Sequence, residues 1–327
     1  MSLKKWGVSA VVLIGSLCIS ANMLADEPAK LANAIRVLDL SVFPLIEPVD
    51  EPTVQLAGRQ QYRAKLPLLE TAEKIRKQLK DHGCSEADGA AFMDAYGSAM
   101  YSKDGFTWSL TLMPDREPNQ TSVTILNHGN VKLESFPAPL QSKILYAVPT
   151  SLAYNCEAET QELRDSYRQR LIDMGWQPFG ETTVSFFVKQ NAVVAQVMIS
   201  PAPPNSAHKS TVQITAELVS VDFPAFAYDQ EFQYSDSTSS LNFMSPLPVA
   251  EFVVELRQKL ATQKWEATTE NPIVNGFEQE LIFRNDVKDY LEVDMRAIDN
   301  KTRVAFKYQS AKQFAEAEKR AREKLTK

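Results

Sequence analysis

Residues 152–176, LAYNCEAETQELRDSYRQRLIDMGW, lie without a gap over residues 241–265, LNFMSPLPVAEFVVELRQKLATQKW. Leu152 meets Leu241, Tyr154 meets Phe243, Leu171 meets Leu260 and Trp176 meets Trp265. Residues 60–84 fit the same frame, with Tyr62, Leu79 and Cys84 at the corresponding places. Glu70, Glu162 and Glu251 coincide, as do Arg76, Arg168 and Arg257; Gly83 matches Gly175, and Leu66-Pro67 matches Leu247-Pro248. Further out, a Phe-Pro pair opens each copy, at 43–44, 136–137 and 223–224, so the pattern recurs roughly every 90 residues. Matching features at matching offsets in three copies identify an internal repeat.

Within each copy a short strand, such as LAYNC (152–156) or LNFMS (241–245), leads into a helix. In the third copy Val249, Phe252, Val253, Leu256 and Leu260 fall at i, i+3, i+4, i+7 and i+11, one apolar stripe along a helix. Three segments with period-two alternation come next. They centre on 95–101, 106–112 and 122–126 in copy one, 183–189, 193–199 and 211–218 in copy two, and 277–284, 290–297 and 303–308 in copy three. Phe106, Trp108, Leu110 and Leu112 share one face, and short turns at Ser102 to Gly105 and at Asp299-Asn300 predict antiparallel hairpins. The runs 37–42, 131–135 and 218–222, just before each Phe-Pro, either extend the preceding strand or open the next unit. The expectation is an α+β chain of three tandem βαβββ units, 43–135, 136–222 and 223–310, each one helix packed on a small antiparallel sheet. A lead segment, 26–42, precedes them.

The Phe-Pro pair, the short strand, the helix ending LIDMGW (171–176) and the three strands after it resemble a loosely defined βαβββ repeat module of uncharacterised exported bacterial proteins, over most of residues 43–310. The resemblance implies a binding or assembly role in the envelope. It brings no activity and no site residues with it.

Both termini differ from this body. Lys4 and Lys5 followed by the apolar run Trp6 to Ile19 predict a signal peptide over 1–25, too short to span a bilayer of roughly 30 Å, with cleavage after Ala25 or Ala21. Cys18 is preceded by Leu17 rather than by a small residue, which disfavours a lipid anchor. Export to the periplasm or beyond is expected, with no transmembrane segment after cleavage. At the other end, residues 311–327 form a charged helix with six basic and three acidic residues, read either as a solvated helix or as a contact with an anionic partner. Cys84 and Cys156, the only cysteines after the leader, are read as small buried hydrophobes or as one disulfide.

Chemistry is sparse. The formal charge is −6, and loss of the lysine-bearing leader makes it more negative, which argues against nucleic-acid binding. His82, His128 and His208 lie apart and show no metal-ligand spacing. Gly97-Ser98-Ala99 lacks the second glycine of a nucleophile elbow, and none of the 11 glycines forms a phosphate-cradling loop. No cofactor or metal is expected.

Alternation places Glu292, Asp294 and Arg296 on one strand face, either a salt-linked surface or the acid pair of a hydrolase. Trp176 and Trp265, at the helix ends, either close the core or stack on a sugar ring. The functional expectation is an exported, non-catalytic, multi-module binding or assembly protein of the bacterial envelope. Its expected partner is an envelope protein or a cell-wall glycan, with the oligomeric state open. The alternatives are a carboxylate hydrolase in the third unit and a structural spacer.

Overall fold

The computed structural model describes residues 27–49, 53–226, 230–315 and 319. The expected leader and most of the C-terminal helix lie outside the described residues. A short helix, α1 (Leu31–Val37), comes first. The first sheet is built from β1 (Val54–Leu56), β2 (Arg59–Ala64), helix α2 (Leu68–Asp81), β3 (Ser85–Glu86), β4 (Ala91–Met93), β5 (Tyr96–Lys103), β6 (Phe106–Pro114) and β7 (Thr121–Asn127). The second comprises β8 (Ser142–Val148), β9 (Ser151–Cys156), α3 (Thr160–Asp173), β10 (Gln177–Glu181), β11 (Ser185–Gln190), β12 (Val193–Pro201) and β13 (Ser210–Leu218). The third holds β14 (Gln230–Ser235), β15 (Ser240–Ser245), α4 (Val249–Thr262), β16 (Glu266–Ala267), β17 (Ile273–Asn275), β18 (Glu278–Arg284), β19 (Tyr290–Ile298) and β20 (Lys301–Gln309).

The strand orders are β1-β2-β7-β6-β5-β3, β8-β9-β13-β12-β11-β10 and β14-β15-β20-β19-β18-β16, with β4 on β5 and β17 on β18. These share one plan. An opening hairpin precedes the helix, and the last strand of each set slots between the second strand of that hairpin and its own predecessor, pairing antiparallel with both.

The expectation of an α+β chain with one helix on each small sheet is overturned. The chain is mostly antiparallel β, in sheets of seven, six and seven strands. The missing strands share a physical reason. Strands β1, β3, β4, β16 and β17 have two or three residues, too few to show a period of two. Strand β8, SKILYAV, is apolar on both faces and exposed along its length, so it never alternates. The runs expected to add strands before each Phe-Pro do not: residues 133–135 form a single 3-10 turn, and 219–226 are irregular. These segments instead deliver Leu40 and Phe43, Leu133 and Phe136, and Val221 and Phe223 into the interior.

The helices form for the reason the stripe suggests. Val249, Phe252, Leu256 and Leu260 are buried, as are Leu163, Tyr167 and Leu171 in α3 and Leu68, Ala72, Ile75 and Leu79 in α2. Glu70, Glu162 and Glu251 stand in the first turns, where a carboxylate complements the helix dipole. All three helices end alike: the amides of Cys84, Trp176 and Trp265 reach back to the carbonyls of Leu79, Leu171 and Leu260. The preceding residue must turn left-handed; Gly83 and Gly175 do so freely, whereas Lys264 does so at φ +64°.

The recurrent arginines tie each helix to the chain just beyond its C-terminal end. Arg76 makes a two-pronged contact with Glu86, both bonds 2.8 Å. Arg168 reaches Glu181 at 3.3 Å, and Arg257 donates to the carbonyls of Thr269 and Glu270.

One continuous apolar core runs through all three sheets. Two glycines permit the closest approaches: a Cβ on Gly58 would lie 2.7 Å from the Leu218 carbonyl oxygen, and one on Gly180 would lie 2.1 Å from the Phe232 ring. Phe232 of β14 packs on Phe179 and Phe187 of the second sheet. Among the described residues no helix is long and apolar enough to cross a membrane.

Candidate functional site

The features singled out by sequence do not converge. Glu292 and Asp294 share the outward face of β19, and Lys307 on β20 donates to both, at 3.3 and 3.2 Å. Their attraction raises the Lys307 pKa, chiefly through the bond to Asp294. The pair is thus tied to a cation on a sheet face rather than set across a cleft, and Arg296 lies farther along, opposite Arg303 and Glu278. Burial and the two neighbouring acids push Glu280 up.

The histidines occupy three unrelated places. His82 caps α2 and meets the Phe43 ring edge-on at 5.0 Å. His208 lies in the irregular link between β12 and β13. His128 bridges two sheets, with Nδ1 3.2 Å from the Ala216 carbonyl and Nε2 2.8 Å from Ser109 Oγ. Because a carbonyl only accepts, Nδ1 carries the proton and the serine hydroxyl donates to Nε2 in the neutral ring. Among the described residues no group of three or more His, Cys, Asp and Glu is placed to hold a metal. Cys84 and Cys156 are free and buried, and burial pushes the Cys156 thiol up to about 11. Ser98 lies inside β5, paired with Thr111 and Ala91.

The tryptophans separate sharply. Trp176 is 6% exposed and closes the second core under Phe136, ring to ring at 5.2 Å. Trp265, its counterpart, is only partly buried and lines a groove of about 790 Å³ between α1, the β11–β12 hairpin and the end of α4. Tyr308 stands edge-on to it, with centroids 6.4 Å apart. The Tyr308 hydroxyl donates to Asp289 at 2.9 Å, and the Asn285 amide donates to the same carboxylate at 3.3 Å, which fixes the tyrosine from behind.

On the opposite wall Lys189 is nearly buried and salt-linked to Asp222. The Asn191 amide donates to the Glu27 carboxylate at 3.1 Å and to the Pro28 carbonyl, holding the N-terminal segment against the hairpin. The Gln263 Oε1 atom is buried here and accepts no hydrogen bond. It is one of six such buried side-chain polar atoms among the described residues, so it does not by itself mark the groove. Gln177 and Gln190 also line the groove, and their side-chain amides make no hydrogen bond within the described residues.

The groove therefore offers two aromatic side chains, Trp265 and Tyr308, with several amides that can donate and accept. No protein-family model, curated protein or solved structure matches this chain. The groove is defined by its own geometry alone. The internal repeat located Trp265 but not its surroundings, because Lys30, Lys189 and Tyr308 come from segments far apart in the chain.

The groove hydroxyls that stand beside carboxylates, Ser220 on Asp236 and Tyr308 on Asp289, are held in structural hydrogen bonds. The nearest charges are consumed locally, Lys189 by Asp222 and Asp289 by Tyr308 and the Ala311 amide. What remains open is hydrogen-bonding capacity beside the aromatic rings, together with the exposed ammonium groups of Lys30 and Lys264.

Proposed function

We propose that this chain is a non-catalytic binding protein of the bacterial envelope, exported by its N-terminal segment, that takes a saccharide in the groove beside Trp265. The observation that carries this reading is the contrast between the two repeat-related tryptophans. Trp176 is sealed under Phe136, while Trp265 lines a groove together with the side-chain amides of Gln177 and Gln190. Sugars present apolar C–H faces that suit an aromatic ring and hydroxyl groups that suit amides. Pockets of roughly 300–1,000 Å³ accommodate small ligands, and 790 Å³ falls within that span.

The hydrolase alternative has less to support it, because Glu292 and Asp294 lie on a sheet face, both tied to Lys307, rather than across a cleft. Co-sedimentation with protein-free cell-wall sacculi, at low and moderate salt, tests the proposal. Retention that survives salt and is lost in Trp265→Ala is the expected result. Binding that is indifferent to Trp265, or absent altogether, overturns it.

A further inference from the structure

Strands β8 and β14 are the opening edge strands of the second and third sheets, and they are built alike. Each pairs with its neighbour through a register break, between Ile144 and Tyr146 in β8 and between Gln230 and Gln233 in β14. Beyond the break Ala147 faces Leu152 and Tyr234 faces Leu241, two positions that the repeat superposes. Leu145 and Phe232 thus occupy the same place in the two breaks. Their surroundings differ. Phe232 is 7% exposed, wedged against Phe179 and Phe187 on the far side of the second sheet. Leu145 is 52% exposed, and Leu140, Ile144, Tyr146 and Val148 beside it are exposed as well.

An uncovered edge strand with apolar side chains on both faces is a template for pairing, and natural sheets normally blunt it with charges, proline or a cover. Strand β8 carries only Lys143. Within the chain this kind of edge is covered by the opposite edge of a neighbouring sheet, as β10 lies against β14. The third sheet has such an opposite edge, and it too is bare: around β17 and its turn into β18, Ile273 is exposed, Val274 is 70% exposed and Phe277 is 87% exposed. Glu270 and Glu278 flank this hairpin, opposite in sign to Lys143.

We propose that β8 is covered by the β17–β18 hairpin of a second copy of this chain, repeating between molecules the edge-to-edge join made inside one molecule by the second and third sheets. Two features support this occupant over a foreign peptide: continuity with the internal join, and the opposite charges of the two edges. Because the two surfaces differ, the contact is head-to-tail and leaves one free edge of each kind at the ends. Strand β8 has seven residues and reaches about 24 Å, so the buried area is at the low end for protein interfaces and the association is weak.

Sedimentation velocity over a wide concentration range reads this directly. The expected result is a mass that rises with concentration past that of a dimer. Leu145→Asp and Phe277→Lys each leave the protein monomeric, and an equimolar mixture of the two recovers a one-to-one complex that grows no further. Ile144→Lys serves as a second edge variant, and unchanged far-ultraviolet circular dichroism confirms that each variant is folded. A wild-type protein that stays monomeric throughout overturns the proposal. So does a Phe277→Lys variant that still self-associates, since that means β8 pairs with β8.

Discussion

Ser220 holds Asp236 with both of its donors: the Ser220 amide reaches Oδ1 at 2.7 Å and its hydroxyl reaches Oδ2 at 2.8 Å. The same hydroxyl oxygen accepts the Gly58 amide at 2.9 Å, and Tyr234 adds a further donor to Asp236 at 2.8 Å. Four residues from three sheet regions are thus satisfied around one nearly buried carboxylate. Removing the hydroxyl strands two of those groups at once. Ser220→Ala is expected to lower the unfolding free energy by about 1–3 kcal/mol, measured by urea denaturation at neutral pH. A loss well under 1 kcal/mol shows that water replaces the hydroxyl.

His128 couples the first two sheets to pH. Burial, the leading cause, lowers its pKa below 6.5, and the nearby Arg59 guanidinium adds to that. The unfolded chain therefore takes up this proton more readily than the folded one, and the contribution of the neutral ring is complete above about 6.5 and lost as the pH falls below it. Glu217, which meets Arg59 at 3.8 Å, acts in the opposite sense: burial raises its pKa, so its ionisation weakens the fold as the pH rises above 4.5. His128→Gln is expected to lose less stability than the wild type between pH 7.5 and pH 5, compared by urea midpoints. Parallel curves refute the coupling.

Lys264 occupies a left-handed turn that glycine fills in the other two helices. Lys264→Gly is expected to raise the unfolding free energy by roughly 1 kcal/mol, the usual penalty for a side chain in that conformation. Differential scanning calorimetry decides it, and an unchanged or lower Tm means that the lysine makes a compensating contact.

Lys189 is almost fully covered and depends on Asp222, which keeps about a third of its side-chain exposure. Asp222→Ala leaves an unpaired buried ammonium and is expected to cost about 2 kcal/mol or more, short of the largest values because Asp222 is partly solvated. Adding Lys189→Met should recover most of that loss in the same denaturation assay. A double variant no better than Asp222→Ala argues that the pair shapes the groove rather than neutralising a charge.

Trp108 and Trp176 are buried while Trp265 borders the groove. Iodide is expected to quench Trp265 emission and to leave the other two untouched, so Trp265→Phe should abolish quenching within this set. Protection of Trp265 by a soluble cell-wall fragment then provides a ligand assay independent of sedimentation.

Much of the architecture was legible because the repeat fixes Leu, Arg and aromatic positions whose roles are local. The helical stripes, the long alternating strands and the turns at Asp104-Gly105 and Asp299-Asn300 depend on neighbours within one copy, and they appear where the periodicity puts them. Strands β1, β3, β4, β16 and β17 were not legible, since two or three residues carry no period, and neither was β8, which has no buried face. For the same reason the sheets turned out larger than the pattern suggested.

The functional surroundings were least legible. Trp176 and Trp265 look identical in sequence, and the difference between them is whether Phe136 or open space lies above the ring. Ser220 with Asp236, Lys189 with Asp222 and His128 with Ala216 are joined across 16, 33 and 88 residues, distances over which neither spacing nor charge pattern gives a signal.

The central position of each closing strand sets the order in which the protein can come into being. Tyr62 finds Val123, Tyr154 finds Val212 and Phe243 finds Val304 only after the intervening chain has been made, separations of about sixty residues each, long enough to slow closure. Until β20 leaves the ribosome, the third sheet is two separate fragments, β14–β15 and β16 to β19, each with a raw inner margin. Synthesis from the N-terminus lets the first sheet close while the third is still unmade, so of the three sheets the third is the last to lose its raw margin. A chain cut short before Lys301 would have its first two sheets complete and its last one unclosed, a form that quality control could recognise by that single open seam.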